Sequence, residues 1–328
     1  MWRFVVNRLA WMIVIVIFIS MLSFLIIEAP PGDFMTVYAA RLAIQGDYMD
    51  EAAIASLRSR YGLDQPIYVK YYKWASRIVR GDLGFSFEWR KPVSELLKGR
   101  LIWSIVISLT SILFVYIVAI PIGVFSATHL YSKADYFFNL IGFIGLSVPN
   151  FLFALVLLWA VFERTGTVAV GLFSKEYIMA SWSIGRVIDL IKHLWMPAIV
   201  LGTAGTAGMI RVMRANLLDE LPKAYVMVAR SKGLSELRLL YKYPFRIAMN
   251  PVISTIGWAL PAIFSGEVLV SLVLGIPTIA PIFLQSLLSQ DMYLAGSIVL
   301  ILSVLTVIGT FISDILLAWL DPRIQKTL

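Results

Sequence analysis

Long uncharged apolar runs alternate with shorter polar stretches along this chain, and the alternation predicts its elements. Residues 9–27 carry no charge over about 19 positions, enough for a helix to cross a hydrocarbon layer. Arg3 and Arg8 precede the run, and Glu28, Pro30, Pro31, Gly32 and Asp33 follow it with no small-residue cleavage site. It reads as an uncleaved first span with the N-terminus inside. Residues 101–128, 136–162, 193–210, 247–266 and 292–320 supply five more spans. Pro121 and Gly123 predict a bend in the second, and Pro251 and Pro261 interruptions in the fifth. The run 268–290 contains Gly275, Pro277 and Pro281, so neither half is long enough to cross. It is expected to form the tail end of the fifth span and then a shallow outside-facing dip.

The predicted class is therefore all-α: a polytopic membrane protein with six transmembrane helices, both termini cytoplasmic, and an extracytoplasmic helical insertion after the first span. Its segments are 1–29, the N-terminal tail and first helix; 30–100, the insertion; and 101–328, a core of five helices that includes a cytoplasmic loop, 215–246.

Composition agrees. The 328 residues are 59% hydrophobic and only 15% charged, against about 25% in soluble domains, and mean hydropathy is +0.83. The net charge of +8 suits basic inside loops and does not call for nucleic acid. There is no cysteine, which excludes thiol and disulfide chemistry. Two histidines, His129 and His193, do not make a zinc site, and His193 reads as an interface anchor. No GxxxxGK[ST] loop is present, nor an arginine series of the voltage-sensing kind.

Candidate chemistry is sparse. In the insertion, residues 50–60 predict an Ala-rich helix, and Tyr68, Tyr71, Tyr72, Trp74 and Ile78 an amphipathic helix with an aromatic face. That face either anchors in the interface or meets an outside partner. Residues 91–100 predict a lead-in helix with Pro92 in its first turn. Pro149 and Asn150 interrupt the third span, as a kink or as part of a passage lining, with Ser147 beside them. Arg211 and Arg214 end the fourth span and can snorkel to the inside surface. Gly202, Ala204, Gly205, Ala207 and Gly208 offer a close-packing surface. The basic stretch 222–251 predicts a helix over 225–231, a left-handed Gly233, and a second helix N-capped by Ser235 and running to about Tyr243. Such a loop either only fixes topology or presents a short rigid helix to a partner.

The sequence YVMVARSKGLSE in that stretch resembles the coupling loop of inner-membrane permease subunits of ATP-binding-cassette importers, in the dipeptide/oligopeptide class. The broad pattern there is Glu-Ala-Ala, three residues, Gly. Ala229 and Gly233 fit it, while Met227 and Val228 stand where the general motif has Glu and Ala; the peptide-class version usually lacks the glutamate too. RYGLDQPIYVKYYKW, RGDLG, LSVPNF, MIRVMRANLLDEL and LAWLDPRIQ resemble further stretches of that class, in the same order.

The resemblance implies alternating access driven by partners. Tyr225, Ala229, Arg230, Lys232, Gly233 and Leu234 would dock an ATPase, and Ser147, Pro149 and Asn150 would line the passage. The implied partners are a second homologous permease chain, two cytoplasmic ATP-binding subunits, an extracytoplasmic solute-binding protein and membrane lipid. The chain itself would bind no cofactor, with ATP and Mg2+ held by the ATPase subunits, in a complex of the cytoplasmic membrane. The implied solute is a short peptide, with an oligosaccharide as the alternative. Nickel is disfavoured, because no His, Cys or carboxylate group suggests metal capture. An ion-gradient-driven transporter is the reading from another class, but Asp314 and Glu267 fall near span ends rather than mid-membrane. A membrane assembly or anchoring protein is a third.

Overall fold

The computed structural model describes residues 2–29, 31–46, 48 and 50–320, without the side chains of 2–5, 61, 258 and 260–267. Pro30, the side chains of Arg3, Pro261 and Glu267, and the ending with Asp321, Arg323 and Lys326 lie outside what is described. Among the described residues the chain is helical apart from one short hairpin. Among those residues four helices are long and apolar enough to span a membrane, within Val6–Glu28, Val93–Thr128, Ile184–Glu220 and Met292–Leu320; one bent pair, counted as a single span, makes five.

The chain divides into two compact units, which do not follow the segments 1–29, 30–100 and 101–328. One comprises Asn7–Ser104 and Thr278–Leu305; the other comprises Met1–Val6, Ile105–Pro277 and Thr306–Leu328. The physical reason is the insertion's apolar face, which finds its cover far along the chain.

In the first unit, α1 (Trp2–Glu28) is followed by α2 (Phe34–Ile44), α3 (Glu51–Tyr61) and α4 (Ile67–Val79). Asp33 caps α2 in a reciprocal box with Thr36 and also receives Arg58 of α3 at 2.8 Å. On α4 the expected aromatic face separates into two. Tyr71, Trp74 and Ile78 turn inward, while Tyr68 and Tyr72 are 71% and 74% exposed. Helical spacing accounts for this, since 71, 74 and 78 share one stripe and 68 and 72 another. Trp74 packs at 5.4 Å from the Phe24 ring of α1, in a core with Phe34, Leu63, Phe87, Met292 and Leu300. Lys70 of α4 pairs with Glu28 at the end of α1.

The strands β1 (Phe85–Ser86) and β2 (Lys91–Pro92) pair antiparallel, Phe85 opposite Pro92. Pro92 therefore closes a hairpin rather than opening a helix. The lead-in helix is no separate piece: α5 runs unbroken from Val93 to Thr128, through Pro121. Later in the chain α13 (Ile279–Leu288), ten residues long, is too short to cross a hydrocarbon layer. It packs with Val93, Leu97, Leu294 and Ile298. The last helix, α14 (Met292–Leu320), has the bounds read from the sequence.

In the second unit the bent pair is α6 (Lys133–Ser147) and α7 (Asn150–Thr165), which meet at 104°. Its partner α8 (Ile184–Glu220) begins nine residues before the expected start at His193 and passes through Pro197. Small residues let neighbours close on it: a Cβ added at Gly202 would lie 2.6 Å from Phe114 of α5. Gly208 faces open space and takes no part in that contact. After the helices α9 (Ala224–Ser231) and α10 (Glu236–Lys242) come α11 (Pro244–Ser254) and α12 (Ile256–Val273). The expected fifth span is broken at Thr255, and α12 continues past Gly266 to Val273, where the tail end of that span is expected. Pro251 and Pro261 both lie inside helices.

Candidate functional site

The helix–glycine–helix element takes shape from local signals. The backbone N–H of Lys232 closes α9 on the Val228 carbonyl, and Gly233 follows at φ +78°. Left-handed backbone costs a β-carbon-bearing residue energy and glycine almost none. A Cβ at Gly233 would meet nothing within 4 Å, so the demand for glycine here is conformational, not steric. Ser235 occupies the N-cap of α10 in extended backbone, although its hydroxyl makes no capping bond.

Three contacts fix the pair. Val226, Ala229 and Leu239 bury against one another, with Tyr225, Leu234 and Tyr243 packed around them. Leu240 joins a larger core with Met213, Leu217, Ala248 and Val252 of α8 and α11. Glu220, the last residue of α8, accepts from Lys223 Nζ and from Tyr225 Oη, each at 2.5 Å. Burial and the adjacent Glu220 carboxylate push the Tyr225 phenol well above its ordinary range. On the surface, Arg230 forks onto both Glu236 oxygens at 2.8 and 3.0 Å, which lowers the Glu236 carboxyl and raises the guanidinium.

Of the docking residues read from the sequence, Gly233, Arg230 and Lys232 are exposed, Tyr225 and Leu234 half-buried, and Ala229 buried. Ala229 was expected at the contact core, yet it faces inward because positions 226 and 229 share one stripe of α9. The outward apolar groups are Met227, Val228, Leu237 and Tyr241, each more than half exposed. Glu220 and Glu236 were missed as supports. The spacing of Glu220 to Lys223 offered a weak helical-pair signal, whereas Arg230 and Glu236 meet only because Gly233 turns the chain.

The 148–149 break brings Ser147, Pro149 and Asn150 to one corner. Ser147 and Pro149 are exposed and Asn150 half-buried. The Ser147 hydroxyl donates back to the Phe143 carbonyl at 2.8 Å, and the Pro149 carbonyl accepts the first amides of α7. Asn150 makes no side-chain hydrogen bond among the described residues, so it does not satisfy a carbonyl freed by the break.

Two polar groups depart from the sequence reading. Arg214, expected to snorkel, instead donates to Asp135 of α6 at 3.1 Å. Asp135 is buried, and Tyr131 N and Asn139 Nδ2 complete its acceptor needs. Asp291, which no sequence signal marked, is fully buried before α14 and accepts from Ser86 Oγ (2.5 Å), Glu88 N and Leu294 N.

The arrangement defines a polytopic helical membrane protein that presents a braced, solvent-exposed helix pair. Two family profiles match it: "Binding-protein-dependent transport system inner membrane component" over residues 119–326, and the N-terminal membrane component of the same systems over 1–110. The chain belongs to this family of inner-membrane permease subunits, a multi-pass transport role rather than an enzymatic one. It is 37% identical to the oligopeptide transport system permease protein AppB of Bacillus subtilis, over 98% of this chain and 99% of that one. It is also 27% identical to the dipeptide permease DppB of Escherichia coli K12 and 29% to the glutathione permease GsiC of E. coli O6:H1, with 99% of both chains covered in each case.

Proposed function

We propose that this chain forms half of the translocation pathway of an ATP-driven importer of short peptides. The peptide assignment draws on the names of its relatives. The observation that carries the mechanism is the braced helix pair, whose outward face holds Met227, Val228, Leu237 and Tyr241 among basic residues. A partner ATPase that grips this face moves α8 and α11 with it, because Glu220 and Leu240 tie the pair to both. ATP and Mg2+ then reside on two partner subunits, a second permease supplies the other half of the path, and an external binding protein delivers the solute. Ala229 packs beneath the contact, and Gly233 sets its angle. The reading uses six spans with both ends inside: α1, α5, the α6–α7 pair, α8, the α11–α12 pair and α14. Ser147, Pro149 and Asn150 at the α6–α7 corner are candidate lining groups.

Gly233→Val is the direct test. Its backbone strain, about 1–3 kcal/mol, is expected to reduce peptide uptake and ATPase co-purification while membrane insertion persists; full uptake with normal co-purification refutes the docking assignment. Cysteine at Ser235 should be shielded from an impermeant outside thiol reagent and cysteine at Ser59 labelled. The reverse pattern overturns the topology. An external binding protein that takes oligosaccharides and ignores peptides overturns the solute alone.

A further inference from the structure

Arg211 is a cation that the helix pair does not use. It ends the uncharged run 194–210 of α8, about 25 Å along the helix from Leu194 at 1.5 Å per residue. That places it where a hydrocarbon layer gives way to headgroups. Arg214, one turn on, is neutralised by Asp135. Arg211 is exposed and has no carboxylate partner among the described residues. Its guanidinium stands over the Phe143 ring, 5.7 Å from the centroid.

Beside it a shallow, open-sided cleft lies between α6 and α8, lined by Phe138, Gly142, Leu146, Ala207 and Ile210. Gly142 lets α6 approach α8 closely here, since a Cβ there would lie 3.3 Å from Ala207 Cβ. The wall is apolar, and its polar groups are Arg211 and Asn139. Both amide hydrogens of Asn139 are committed to Asp135, so the donors available at the mouth are those of Arg211. Leu140, Ile141 and Ile144 on the adjoining face of α6 are half or more exposed.

We infer that this cleft seats an anionic phospholipid, its phosphate on Arg211 and part of one acyl chain along the groove. A guanidinium carries five donors in a fork suited to two phosphate oxygens, and the ring contact holds that fork at the groove's mouth. An anion joined to an apolar chain, at headgroup depth beside an apolar groove, is a phospholipid. The cleft is too small for a whole lipid, so the second chain and most of the first remain in the bilayer. The site is independent of the solute carried.

The test is native mass spectrometry of the detergent-extracted protein with its bound subunits, titrated with phosphatidylglycerol or phosphatidylcholine. Phosphatidylglycerol is expected to bind more tightly, and Arg211→Gln to weaken it about tenfold, the worth of a charge-assisted contact. Arg211→Lys retains part of the affinity, because it keeps the charge and loses the fork. Arg246→Gln, which removes another exposed cation, leaves binding unchanged. Equal binding of the two lipids, equal loss in the Arg211→Gln and Arg246→Gln proteins, or loss of a protein subunit in place of lipid from Arg211→Gln would each overturn the inference.

Discussion

The insertion over residues 30–100 and the helix pair over 221–243 are both connections built from short helices, and they are secured in opposite ways. The insertion is held by buried polar groups and a large aromatic core. Asp291 takes the Ser86 hydroxyl and the amides of Phe87, Glu88 and Leu294 in the interior, Glu28 and Lys70 are each only 13% exposed at the side chain, and Trp74 is 1% exposed. The helix pair buries only Val226, Ala229, Leu239 and Leu240, and its clearest ion pair, Arg230–Glu236, is 51% and 69% exposed. Buried polar contacts are costly to break because each orphaned group loses water as well as its partner. Exposed ones exchange readily with solvent. The insertion is thus built to hold one arrangement. The pair keeps its outer face free for a partner and relies on Glu220 and Leu240 for its attachment.

Removing Asp291 is the strongest way to break the contrast. Asp291→Ala leaves the Ser86 hydroxyl and the amides of Phe87, Glu88 and Leu294 without this acceptor and is expected to cost about 3 kcal/mol, read as a fall of several °C in the thermal midpoint of the purified protein. Asp291→Asn, which keeps one acceptor oxygen, should cost less. The pH response separates it from Asp33. Burial raises the Asp291 carboxyl despite its donors, so its native form holds a proton more readily than the unfolded chain. Its contribution falls as pH rises from the ordinary carboxylate pKa through that raised value. For Asp33, burial opposes but Arg58 and Thr36 prevail, and the net shift is downward. Its contribution is present above the ordinary pKa and lost as pH falls through the lowered one. Wild type should lose ground to Asp291→Asn as pH rises, and gain on Asp33→Asn. Parallel slopes would show that burial does not distinguish the two carboxylates.

Legibility in the sequence follows the same division. The helix pair could be read because its signals are local: a basic stretch, a glycine two residues after α9, a serine one residue before α10. The bounds of α14 followed from one long apolar run whose single charge, Asp314, lies near its end. Asp291 was invisible because its partners Ser86 and Glu88 lie 205 and 203 positions away, and no periodicity encodes that pairing. Arg214 is legible only as a snorkelling cation because its acceptor lies 79 positions upstream, beyond the reach of any local pattern. The 104° corner at 148–149 was underread, since Pro149 announces a break but not its angle. On α4 the aromatics were counted as one face, although the helical period already divided them.

A smaller effect tests how the pair is attached. Tyr225→Phe removes the hydroxyl from Glu220 and leaves the ring in place. The loss expected is about 1 kcal/mol, confined to the amides of α9 in hydrogen exchange, with α4 and the hairpin unchanged. The retained Lys223 contact should keep α9 folded. Protection lost across α10 and α11 as well would mean that the Glu220 contact, rather than the Leu240 core, carries the whole attachment.

The smallest stability effect belongs to Arg230→Ala. Its fork to Glu236 has good geometry, but both groups stand in solvent, where ordering two long side chains offsets much of the gain. The thermal midpoint should stay within about 1 °C of wild type. A change in partner behaviour at constant stability is what identifies a contact surface. If the outward face of α9 meets an ATPase, Arg230→Ala lowers ATPase retention during purification while hydrogen exchange in α10 stays as it was. A midpoint lowered by several degrees would mean that the pair braces the turn at Gly233 from outside. The contrast between a buried insertion and an exposed element held from beneath would then fail at the residue where it is sharpest.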